Sequence, residues 1–207
     1  MAQLLKGGTD MKKKLFIIAT VLILVLSAVT VTACNTDEKL FNAFVEKLQT
    51  GYQAGTLQTK RTTAIGETLL AETSANYTFA ENGSATVQTT VRKLNENPVE
   101  GETYLESTQT SNLTTDEAKE VFFDVSKISK DNFLKGQYTL STEKTQSTLT
   151  FTASSAEKMF GVTTEEAQRI SDIQVTVCVE NDKLASLQIT YKLDTATTVT
   201  FTATYAY

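Results

Sequence analysis

The sequence has no histidine and no tryptophan, a single proline (Pro98) and only two cysteines (Cys34 and Cys178). Each scarcity excludes chemistry. Without histidine there is no Ser-His-Asp or Cys-His catalysis and no histidine-ligated zinc or iron. Two cysteines cannot build a thiolate zinc site or a disulfide framework. The glycines form no GxGxxG or GxxxxGK(S/T) loop that would cradle a phosphate. The lack of tryptophan weakens a sugar-stacking role. No catalysis, cofactor or metal is expected.

The remaining reactive candidates have simpler explanations. Ser155-Ala156-Glu157-Lys158 has the SxxK spacing of serine–lysine acyl enzymes, but the SDN and KTG partners are missing. Ser154, Ser155 and Glu157 read instead as a helix start. Glu120 and Asp124 stand four apart on one predicted helix face and read as a solvated face. Cys178 has no nearby base in the sequence and reads as a structural thiol.

What is present begins at the N-terminus. Lys12, Lys13 and Lys14 form a basic patch, Leu15 to Leu26 is an almost unbroken apolar run, and Val31-Thr32-Ala33 leads into Cys34. Positive charge, an apolar segment and small residues before a cut make a signal peptide. Val31 to Cys34 resembles the lipobox of bacterial lipoprotein precursors. That resemblance implies a diacylglycerol on the Cys34 sulfur and cleavage of residues 1–33, with translation starting at Met11. The alternative is a retained anchor helix, for which Leu15 to Val31 is short, since a span takes about 20 residues. Two acyl chains suffice for stable anchoring. The expected address is the outer face of a bacterial cell membrane, and the lipobox with its lysine-rich start suggests a Gram-positive one.

Cleavage would leave one exported domain, residues 34–207, with 15 basic and 23 acidic side chains and a net charge of −8. That balance argues against nucleic acid or an anionic lipid surface as partner. A chain of this length can bury about 70% of its unfolded surface, enough for a real core.

Leu40, Phe41, Phe44, Val45 and Leu48 recur at helical spacing and predict a helix over 36–50. Threonine, β-branched and strand-favouring, then supplies 33 of residues 34–207. Ala75, Tyr77 and Phe79 share one face of a strand, Asn82-Gly83 reads as a two-residue hairpin turn, and Ala85, Val87, Thr89 and Val91 share the next face. A weaker strand follows at 102–110. Thr114 and Glu117 form a capping box that opens a predicted helix through Ile128. Strands return around Tyr138 and Phe151. Two short helices open near Ser154 and Thr163. Three strands finish the chain, carrying Ile173 to Val179, Leu187 to Leu193 and Val199 to Tyr207. The fold class is α+β: an antiparallel, curved, half-barrel-like sheet of about seven or eight strands with helices packed on one face.

This order behind a lipobox resembles the LolA/LppX-type lipoprotein carriers. The resemblance implies a half-barrel closed by helices that binds a lipid or other hydrophobic ligand. No motif supports carrying over any site residue. The large members of the apolar sheet face are Tyr77, Phe79, Phe151, Tyr191, Phe201 and Tyr205. They are ordinary core, or they line a cavity for an apolar ligand. Two functions follow: a membrane-anchored binder of a hydrophobic small molecule or lipid, or a non-enzymatic envelope interaction or adhesion module with a filled core.

Overall fold

The computed structural model describes residues 36–50, 55–97 and 102–207. The signal segment and Cys34 lie outside the described residues. The helix expected near the N-terminus is α1 (Thr36–Thr50). It buries Phe41, Phe44 and Leu48 against the sheet and leaves Leu40 in solvent.

Nine strands follow, all antiparallel: β1 (Thr56–Ile65), β2 (Thr68–Phe79), β3 (Ala85–Leu94), β4 (Tyr104–Leu113), β5 (Phe133–Glu143), β6 (Gln146–Ala153), β7 (Ile170–Glu180), β8 (Lys183–Leu193) and β9 (Thr197–Ala206). They form one sheet in the order β4-β3-β2-β1-β9-β8-β7-β6-β5. The expectation of seven or eight strands is therefore corrected to nine among the described residues. The strand left out is β1. Its inward positions, Leu57, Thr59, Arg61 and Thr63, carry one apolar residue, so period-2 hydrophobicity does not announce it.

The sheet grows from its middle. One meander runs outward from β1 to β4, another runs inward from β5 to β9, and the first and last strands pair along their full length at the seam. The chain must therefore cross from one edge to the other between Leu113 and Phe133. Here the predicted helix of 114–128 is replaced by a short α2 (Thr115–Glu120) and two 3₁₀ turns, Val125–Lys127 and Lys130–Asn132. Reach explains the difference. Nine strands at about 4.8 Å spacing put the edges about 38 Å apart along the sheet. A continuous helix over 114–128 would advance only about 22 Å, and even with residues 129–132 fully extended the crossover would barely span that distance. Breaking it lengthens the segment while Val121, Phe122 and Ile128 still meet the core. The same break separates Glu120 from Asp124, which caps the first 3₁₀ turn and shares no helix face with it.

Local chemistry sets the ends of these elements. Thr114 and Glu117 form a complete capping box, as do Thr163 and Glu166 before α4 (Thr164–Ala167). Ser155 caps α3 (Ala156–Phe160) by accepting from the Lys158 N–H. The β2–β3 turn is one residue longer than Asn82-Gly83 alone suggests. Ala80 N–H bonds Ser84 O, and Gly83 takes a φ of 82°, the left-handed conformation that closes a three-residue loop. Asn181 and Asp182 both have positive φ, as the β7–β8 turn requires.

Replacing Thr114 with alanine is expected to cost about 1 kcal/mol. That lowers the melting temperature by about 2–4 °C in a domain of this size, and Thr114→Ser should restore it. The Glu117 carboxyl is held below its ordinary value of 4.5 by hydrogen bonds from the Thr114 N–H and hydroxyl. Its contribution is present above that ordinary value and is lost as pH falls through the lower native one. The Thr114→Ala deficit should therefore shrink in acid, which melts at pH 7 and pH 3 would show.

Candidate functional site

Cross-strand register divides the covered face of the sheet in two. One row reads Tyr138, Phe151, Val175, Ile189 and Phe201 from β5 through β9. It continues as Arg61, Thr73, Val91 and Ser107 from β1 through β4. Apolar side chains give way to polar ones at the central seam. The buried cluster lies mainly on the apolar half, with Phe151, Val175, Val177 and Leu187 at 1% exposure or less.

At the boundary between the halves, an open cleft of about 390 Å³ lies between the sheet and the crossover. Ile189, Tyr191, Val199 and Phe201 form its floor. Phe122 and Phe123 of the crossover and Met159 and Phe160 of α3 form its apolar walls. Arg61, Asp124 and Lys127 supply the charged groups. Arg61 Nη2 reaches from β1 to the Tyr191 hydroxyl of β8 at 3.4 Å. The Tyr191 ring lies against Phe160, with centroids 5.1 Å apart. The Asp124 carboxylate accepts from the Ser126 hydroxyl at 2.6 Å and its N–H at 3.0 Å, which holds its carboxyl below the usual range.

The six aromatic candidates fall in three places. Tyr191 and Phe201 line the cleft. Tyr77, Phe79 and Tyr205 stand one layer away, in a ring series with Phe122: Phe79 stacks on Phe122 at 4.9 Å, and Phe122 faces Tyr205 at 6.3 Å. Phe151 is core, 1% exposed and 4.1 Å from the Phe133 ring. Period-2 patterning places all six on one face but cannot tell floor from core. Arg61 escaped sequence reasoning altogether. Counting by two from Leu57 would have put it on the covered face, an unusual place for arginine.

The other reactive candidates are engaged locally. Ser155 spends its hydroxyl on the α3 cap, and Lys158 Nζ donates to the Asp131 carbonyl at 3.2 Å. Cys178 is buried, with the Gln146 amide donating to its sulfur at 3.0 Å. On the opposite face of the sheet, threonine hydroxyls bond one another across strands, as in Thr150–Thr176 and Thr190–Thr200, both at 3.3 Å. Among the described residues no three His, Cys, Asp or Glu side chains could hold a metal ion, and no helix is long and apolar enough to cross a membrane. The chain matches no protein-family model and no curated protein sequence, so the chemistry of this cleft rests on its own residues.

Proposed function

We propose that this chain is an exported bacterial lipoprotein, tethered through a diacylglyceryl group on Cys34, whose domain holds a hydrophobic ligand between sheet and crossover. The observation that carries the binding role is the cleft: about 390 Å³, walled by Phe122, Phe123, Met159 and Phe160, and open to solvent. Aromatic and aliphatic walls with a few convergent polar groups are the usual composition of a small-molecule site, and the volume is at the small end of the usual range. A curled, half-barrel-like sheet is part of this reading.

The test is native mass spectrometry of residues 35–207. Every member of the core cluster lies between Phe41 and Tyr205, so this piece keeps the whole core. Extra mass that is removed by denaturing extraction and identified as lipid is the expected result. A bare mass from several expression hosts, with no uptake of added fatty acid or phospholipid, would overturn the reading.

One observation favours the interaction module as a second reading. The edge strand β4 has eight consecutive exposed residues, Leu105 to Asn112, and among the described residues only β3 as neighbour. Such an edge can accept an added strand. Its charged Glu106 is also a usual guard against strand addition, so the cleft is the stronger ground.

A further inference from the structure

The proposed apolar site also contains the means to choose a head group. Resting on that reading, we infer that the occupant is a single-chain fatty acid, its carboxylate held by Arg61 and Tyr191 and its alkyl chain lying along Phe201 and Ile189 toward the walls of the cleft.

The argument starts from where Arg61 lies. It is on the covered face of β1, with Phe201 and Thr73 as its cross-strand partners. Arginine has five donors and no acceptor. Among the described residues its one hydrogen bond to another side chain is to the Tyr191 hydroxyl. Among the described residues no carboxylate lies within ion-pair distance of it, although Lys60, its neighbour on the opposite face, is paired with Glu72 at 2.7 Å. The one carboxylate in the cleft, Asp124, is turned to Ser126. Lys127 adds a second cation to the lining, so its charged groups sum to one positive.

The two groups at the head end are complementary. By accepting from Arg61, the Tyr191 hydroxyl keeps its own proton to donate. A carboxylate there would take a charge-assisted bond from the guanidinium and a second from the phenol. A neutral alcohol would gain neither charge term.

Volume selects the tail. At about 30 Å³ for each non-hydrogen group of water size, 390 Å³ holds about 13 such groups. That matches one alkyl chain of about a dozen carbons, with the rest at the open mouth.

The test titrates residues 35–207 with tetradecanoate and with tetradecanol, each below its aggregation limit, by displacement of a fluorescent alkyl probe. The native protein should bind the acid about 10- to 100-fold more tightly than the alcohol. Arg61→Gln should abolish that preference, and Arg61→Lys should keep part of it. Arg61 is exposed, so neither variant disturbs the core. Equal affinity for acid and alcohol, or a preference that survives Arg61→Gln, would overturn the head-group assignment while the apolar site stands. Binding only to vesicles of phosphatidylglycerol would overturn the single-chain occupant. Binding of no amphiphile at all would overturn the apolar site itself, and the assignment with it.

Discussion

A chain ending at Ala196, one residue before β9, is expected to lose cooperative folding altogether. The reason is topological. β9 is last in sequence but central in space, paired with β1 on one side and β8 on the other. Its removal leaves two separate meanders, β1–β4 and β5–β8, each with a newly unpaired central strand. Val199 and Tyr205, at 1% and 7% exposure, go with it. Their burial alone is worth about 3–6 kcal/mol, against a total stability of about 5–15 kcal/mol for a domain. Two ladders of backbone hydrogen bonds are lost in addition. The β1–β4 half cannot survive alone, because among the described residues its strands contribute only Leu57 to the buried cluster. Thermal melts followed by circular dichroism should show no transition for the shortened chain, and amide resonances should collapse. Adding residues 197–207 as a separate peptide should restore part of the native signal. A shortened chain that still melts cooperatively would mean that the β5–β8 half folds without the seam.

How much of this was visible in the sequence depends on which side of the seam is considered. From β6 to β9 the covered positions are Leu149, Phe151, Val175, Val177, Leu187, Ile189 and Val199, and the alternation is clean. These strands were readable because one face is dry and the other wet. On β1 that contrast disappears: Thr59, Arg61 and Thr63 face the covered side, where the core is giving way to the cleft. The pattern hides β1 for the same reason that the candidate site exists there. The crossover departs from its pattern for a different reason. Val121, Phe122, Val125 and Ile128 have helical spacing, but the distance between sheet edges overrides local periodicity. No local pattern reveals that β1 and β9 are neighbours, since that pairing joins residues from opposite ends of the domain. The capping boxes at Thr114 and Thr163 were fully readable, because both partners lie within one turn.

Phe151→Ala and Phe201→Ala should separate core from site, although the sequence places both rings on the same face. The two residues lie in one cross-strand row, linked through Val175 and Ile189. Phe151 is 1% exposed, and its ring is enclosed by Phe133 and the body of the cluster. Truncating it removes both the transfer free energy of the ring and the contacts around the void, at a cost of about 3–5 kcal/mol. In a domain of this size the melting temperature should fall by about 6–20 °C. Phe201 already borders an open cleft. Its removal enlarges existing space instead of creating a sealed cavity, so the stability loss should be markedly smaller. The effect should appear in amphiphile binding instead, because the floor beside Arg61 is gone. Melts of both variants, with tetradecanoate titrations alongside, give the decisive pattern: large destabilisation for Phe151→Ala, and weakened binding with a near-native melt for Phe201→Ala. Comparable melting losses for both, with no difference in binding, would make the Phe201 side of the cleft ordinary core and favour the exposed β4 edge as the working surface.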